Sequence, residues 1–252
     1  NAVNSLQPVR WELAIGYRKS LLSFRDIVGP VYFELADLLL QRAAAATSKD
    51  KEHWLKEAQN TIERLKTAEL QDYFRDECVT DFQAKRTPLD TGIAQTAVLY
   101  PILLPDRTEI LLSLPNEIQQ FTLPITADRL KDEVNEFRFE LESNDSDNYL
   151  AYAQRLYQWL ITPLETALTT QHVETLIIVP DGVLRTIPFA ALHDGKQFLM
   201  AKYAIAITPG LTLTEAPKPL PKNHLKVLVS GLSENVEGYS KLLSVKQEVN
   251  AI

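Results

Sequence analysis

At 252 residues and 45% apolar composition, the chain is long enough for one large domain or two ordinary ones, with ample material for a core. Lys and Arg number 26 against 33 Asp and Glu, and the resulting net charge of -7 excludes the broad attraction that sequence-independent binding to nucleic acid or an anionic membrane requires. No run approaches the ~18 uninterrupted apolar residues of a membrane span, and no basic-then-apolar leader opens the chain, so a cytoplasmic protein is expected.

From Val9 to Val28 the apolar residues Leu13, Tyr17, Leu21, Phe24 and Val28 recur every three or four positions, which is the helical period. Gly29-Pro30 is expected to stop that helix, and a second is expected over Val31 to Ala46 with Leu35, Leu38 and Leu39 on one face. Ser48 is placed to cap a third, long helix whose stripe is Trp54, Leu55, Ala58, Ile62, Leu65 and, after a small drift, Tyr73 and Phe74. Lys56, Glu57, Glu63, Arg64 and Lys66 read as its solvated face. Residues 1–82 thus read as an antiparallel, tetratricopeptide-like helical lead-in, although three helices do not establish a period.

Asp81 to Thr96 is polar, carries Pro88 and Gly92, and marks a boundary. Ala97 to Leu104, Thr108 to Leu114 and Ile118 to Leu123 are short apolar or alternating runs separated by Pro105-Asp106 and Pro115-Asn116, the pattern of an antiparallel meander. Leu130, Val134, Phe137 and Leu141 then keep a helical spacing, and a longer helix carries Ala153, Leu156, Tyr157, Leu160, Leu164 and Leu168. Pro163 should kink it or start a fresh turn. These elements make up a region over 83–170, and 171–252 forms a third.

The third region opens on the apolar run Leu176-Ile177-Ile178, followed by VPDGVLRTIPFAALHDG (Val179 to Gly195). Pro180 presets φ and Gly182 accepts a conformation that other residues resist, so a buried strand ends there in a turn. Asp181 has two readings: a catalytic carboxylate at a strand's carboxyl end, or, preferred, a side-chain bond of the Asx type closing the Pro-Asp-Gly turn. Arg185 and Pro188 shape the crossing of this segment over the sheet. His193 in His-Asp-Gly reads as a turn residue, and His53, His172 and His224 are isolated, with no HxxxH pair of the zinc type. Cys78 sits between carboxylates in RDECV, which oppose a reactive thiolate, so it reads as structural or incidental.

A strand over Tyr203 to Thr208, a Pro-rich link over Ala216 to Asn223 and a strand over Leu225 to Ser230 follow. The loop Gly231 to Ser240 comes next, and then a helix opened by the capping pattern Ser244 to Gln247. Strand, loop and helix in this order form the first unit of an open α/β sheet, so the class is α/β or, with the meander, α+β. Loops at the carboxyl ends of such strands bind ligands. Gly231, Ser233, Glu237 and Gly238 are therefore candidates to line a substrate cleft, against an ordinary surface loop. Neither GxxxxGK[ST] nor GxSxG is present there. The chain lacks an initiating Met and stops within that last helix, so it reads as part of a longer protein.

The block from LIIVPDGVLRTIPFAALHDG to TPGLTL, followed by LKVLVSGLSENVEGYSKLLSVKQEV, resembles the first part of a CHAT domain, the caspase-like domain that accompanies tetratricopeptide repeats in bacterial proteins. NTIERLKTAELQDYFRDECV is similar to the helix that leads into such domains, and TAVLYPILLPDR to their first strand pair, so the resemblance reaches back to about Val31. It implies a caspase-like α/β sandwich and a cysteine peptidase acting on a protein or peptide substrate, with no cofactor and no metal. Its His and Cys lie in strands ending roughly HxATH and SAC, and neither occurs between Asn1 and Ile252. The resemblance therefore assigns no catalytic residue to this chain; Pro180, Asp181, Gly182 and Pro188 form a structural motif. A competing expectation is a caspase-like scaffold without the dyad that binds a protein partner through its helices.

Overall fold

A computed structural model describes residues 24–74, 93–143 and 147–212 and, near the end of the chain, 231–235, 238, 240–242 and 244–251. Residues 1–215 form one compact unit and 216–252 a second. The expectations for the helix over residues 9–23, for Cys78, His224 and Glu237, and for the strand over 225–230 fall outside the described residues.

Helices α1 (Phe24–Ala45) and α2 (Ser48–Phe74) pack on each other as a hairpin. The stop expected at Gly29-Pro30 does not occur, since α1 runs straight through it. Proline in a helix interior costs ~3 kcal/mol. Val28, Tyr32, Ala36, Leu40 and Ala43 lie on one buried face on both sides of it, and each large apolar side chain returns ~1.5–3 kcal/mol on burial. Pro30 itself is exposed, so its ring displaces nothing from the buried face. The buried stripe also differs from the one expected. Leu38 is 63% exposed, whereas Leu35 and Leu39 are half-buried. In α2, Leu55, Ala58, Ile62 and Leu65 are buried as their spacing predicts, and half-buried Trp54 carries the Arg42 guanidinium 3.8 Å above its ring.

Strands β1 (Thr96–Leu103), β2 (Thr108–Ser113) and β3 (Ile118–Leu123) form the expected antiparallel meander, in register Leu99 to Leu112 and Leu112 to Gln119. Each connection is a tight turn with proline second. Leu104 N donates to Arg107 O at 2.9 Å, and Leu114 N to Glu117 O at 2.8 Å. On its other edge β1 pairs in parallel with β4 (Thr175–Ile178), which pairs in parallel with β5 (Ala204–Ile207). The order β3-β2-β1-β4-β5 makes a mixed sheet in which β1 joins an antiparallel half to a parallel one.

Alternation along the strands sends side chains to two cores. Leu99, Ile110, Leu112, Leu176 and Ile178 meet α3 (Ala127–Glu142), α4 (Tyr149–Leu160) and α5 (Glu165–Thr170). Val98, Tyr100, Ile102, Leu111, Ile177 and Val179 meet Ala36, Leu40, Leu55, Ala58 and Ile62, so the helical hairpin covers the second face. The class is α+β. Thr126 caps α3 by accepting from Arg129 N at 3.2 Å, and Pro163 starts a fresh 3-10 turn (Thr162–Leu164) between α4 and α5, as expected. In the second unit, α6 (Val245–Ala251) begins where the capping pattern predicts, with Gln247 and Glu248 N–H groups donating to Ser244 O. Among the described residues no helix is long and apolar enough to cross a membrane.

Candidate functional site

Parallel strands gather their functional loops at their carboxyl ends, and here those ends carry an unusual load of buried charge. Glu63, Lys66 and Glu69 follow one another at intervals of three on α2, hence on one face of the helix, and that face looks at the sheet. The expectation that Glu63 and Lys66 are solvated is thereby corrected: they are 4% and 1% exposed, while Lys56 and Arg64 do face water. Charge alone marked them as surface residues, and the partners that permit their burial lie far away in sequence.

Asp181 follows β4 in an extended conformation, and its side chain is fully buried. The Asx-type bond expected of it is absent. Its carboxylate instead accepts a two-pronged bond from Arg25, Nη2 to Oδ2 at 2.6 Å and Nη1 to Oδ1 at 3.0 Å, and a third from Arg185 Nη2 at 3.1 Å. Glu69 closes the ring by accepting from Arg25 Nη1 at 2.7 Å and Arg185 Nη2 at 3.0 Å. Two acids and two guanidinium groups thus alternate. Burial alone would push the Asp181 carboxyl up, but the Arg25 bond and charge, with Lys66 and Arg185 behind them, outweigh it and hold the carboxyl below its ordinary value.

Lys66 donates to Pro180 O at 2.8 Å, Pro209 O at 3.3 Å and Val179 O at 3.5 Å, tying the ends of β4 and β5 to one ammonium. Burial lowers its pKa to about 8, helped by repulsion from Arg185 and opposed by Asp181, Glu63 and Glu69. Glu63 accepts from Tyr100 Oη at 2.8 Å and from both the N–H and the hydroxyl of Thr212 at 2.9 Å. One helix face therefore holds β1, the exit of β4 and the exit of β5. Three cations and three anions take part, so no net charge is buried, which is the condition under which such a cluster is tolerated. Every charged head has a partner, and the bonds of Lys66 and Glu63 to Pro180, Pro209 and Thr212 make the cluster a device that positions backbone.

The motif residues fall around this cluster. Pro180 presents the carbonyl that Lys66 binds. Gly182 adopts φ +51°, as its place after Asp181 requires, and starts the 3-10 segment Gly182–Thr186. A side chain there would meet Leu103 and Arg25. Pro188 lies in an extended link to the 3-10 turn Phe189–Ala191. The Asx geometry is found instead at Asp194, whose Oδ1 accepts from the N–H groups of Lys196 at 2.7 Å and Gln197 at 2.8 Å; His193, expected in a turn, pairs with Phe198 in an isolated antiparallel bridge that flanks this turn, and its Nδ1 accepts from Gly195 N at 2.9 Å.

The cleft candidates belong to the second unit. Gly231 packs where a Cβ would stand 2.5 Å from Val245 Cγ1 and 2.8 Å from Val249 Cγ2, which gives it a packing reason to be glycine. Ser233 is half-buried, and Gly238 has φ +86° with open space around it. Arg25, Lys66 and Glu69, the charged partners of the motif, were missed by sequence reasoning. The signal available was the spacing of Glu63, Lys66 and Glu69 on a helix otherwise well patterned for burial.

Residues 150–252 match the family model of the CHAT domain, a span that contains β4, the motif and β5. Helices α1 and α2 and the meander lie outside that match, which is shorter than the reach of the resemblance back to Val31. No curated protein matches the chain. Among solved structures, the crystal structure of an exopolyphosphatase from Cytophaga hutchinsonii is similar at 12% identity over 65% of this chain and 54% of that one; its TM-score of 0.26 carries no argument about fold or function.

Proposed function

We propose that this chain is the amino-terminal part of a caspase-like cysteine peptidase of the CHAT type, which hydrolyses peptide bonds through a His/Cys dyad supplied by sequence after Ile252. The observation that carries the reading is the family match over residues 150–252, a span that contains VPDGVLRTIPFAAL. The buried cluster supports it by giving the motif a job. It fixes the carboxyl ends of adjacent parallel strands, the edge at which an open α/β sheet arranges reacting groups. In such an enzyme a thiolate attacks the scissile carbonyl, His moves the proton, and backbone donors hold the oxyanion. This chain's contribution is the frame on which those strands stand.

The test compares residues 1–252 with the full-length protein, using casein digestion and labelling by iodoacetamide. Cleavage by the full-length protein, silence of the shorter chain and indifference to Cys78→Ala are expected. Cleavage by residues 1–252 that Cys78→Ala abolishes would refute the assignment. An inert full-length protein with no reactive thiol would favour the scaffold reading.

A further inference from the structure

Beside the charge cluster, α1, the turn after β1 and the start of α3 enclose an open groove of about 640 Å³, a size in the range of ligand-binding clefts. Its floor is apolar, made by Phe33, Leu103, Leu104 and Pro105. Its rim is acidic: Asp26, Glu34, Asp37, Asp106 and Asp128. Arg25 also lines the groove, but its guanidinium is bound to Asp181 and Glu69. Arg107, just behind, is bound to Asp37, Asp106 and Glu109. Glu34 and Asp128 are exposed and make no hydrogen bond or ion pair among the described residues, so their charge is directed outward.

An apolar floor calls for an apolar group, and the two rim acids that carry no partner among the described residues, Glu34 and Asp128, call for cations beside it. A bare metal ion fits neither the floor nor the spread of the carboxylates; among the described residues no three acids, histidines or cysteines are grouped to hold one. We propose that the groove docks a segment of a partner protein in which Lys or Arg residues flank an aliphatic side chain, the aliphatic group on Phe33 and Leu103 and the cations on Glu34 and Asp128. The site is independent of the peptidase reading and stands whether or not a dyad follows Ile252. Its floor also adjoins the motif, since Leu103 and Arg25 are the groups that a side chain at Gly182 would meet.

The test titrates the folded chain into a fluorescein-labelled decapeptide with leucines between arginines, read by anisotropy. Saturable binding is expected, weakened at least tenfold when the leucines become serines, and weakened again as salt rises. Glu34→Lys combined with Asp128→Lys should weaken it at least tenfold while leaving the circular dichroism unchanged, because both side chains are exposed. The same charge change at Glu136 and Asp147, elsewhere on the surface, should leave binding within twofold. Equal losses from the two charge-reversed pairs would reduce the effect to general electrostatics and overturn the proposal. So would equal binding of the serine peptide. Concentration-dependent dimerisation in sedimentation that is abolished by Glu34→Lys with Asp128→Lys would overturn it in favour of a second copy of this chain.

Discussion

Asp181 shows how a residue that reads as a local turn former can act over long range, for its strongest partner, Arg25, lies 156 positions away. Removing its charge strands Arg25 and Lys66 against a buried neutral amide, so Asp181→Asn should lower stability in urea unfolding by ~3 kcal/mol or more. Because the folded carboxyl is held below its ordinary value, its stabilisation is complete above the unfolded value near ~4 and disappears as pH falls through the folded one. The mutant's deficit should therefore shrink in acid. Lys66 gives a dependence of the same sign in another window, from the opposite cause: its charged form is disfavoured by burial, where that of Asp181 is favoured by its partners. Its folded pKa of about 8 lies below that of the unfolded chain, so the unfolded state binds more protons between about pH 8 and 10. Stability should rise across that window by up to ~1.4 kcal/mol per pH unit, and Lys66→Met should flatten the rise. Neither dependence was legible in the sequence. Beyond their three-residue spacing, Glu63 and Lys66 differ from the exposed Lys56 and Arg64 only in what they reach: Tyr100, Pro180 and Thr212.

Among the elements, the strands were legible and the first helix was not, for one physical reason. Pro105-Asp106 and Pro115-Asn116 form the tight turns they encode, where proline's fixed φ agrees with the fold. At Pro30 the same residue opposes the fold and is overruled by the buried face running from Val28 to Ala43. Restoring an amide donor there should relieve the conflict: Pro30→Ala is expected to stabilise the protein by ~1–3 kcal/mol, read as a rise in Tm. A fall in Tm would mean that the ring itself makes contacts the helix needs. Pro163 behaved as expected because the helix does end before it, at Leu160, and a 3-10 turn takes over. At Gly231 the glycine has a packing reason, Val245 and Val249, that the sequence pattern did not reveal.

For the unit formed by residues 1–215, the helical hairpin supplies one of the two cores that the sheet requires. A chain starting at residue 93 would bare Val98, Tyr100, Ile102, Ile177 and Val179 and lose every α2 partner of the motif. It should remain largely insoluble on expression, or bind a dye for exposed apolar surface at least severalfold more strongly than the longer chain. A soluble, cooperatively unfolding product would show that the hairpin is dispensable. The placing of β1 between its two neighbours has a consequence for synthesis. Its antiparallel edge is satisfied almost as soon as β2 is made, but Gln95 and Glu174, which meet where β1 and β4 begin, are 79 residues apart. At ~5–20 residues per second that is of the order of 4–16 s with one edge of the strand open on the ribosome. The hairpin emerges earlier still, and its Glu63, Lys66 and Glu69 remain hydrated until β4 and β5 arrive. The nascent chain is therefore most exposed to mispairing just before the motif is translated, and slowing translation between β3 and β4 should lengthen that interval.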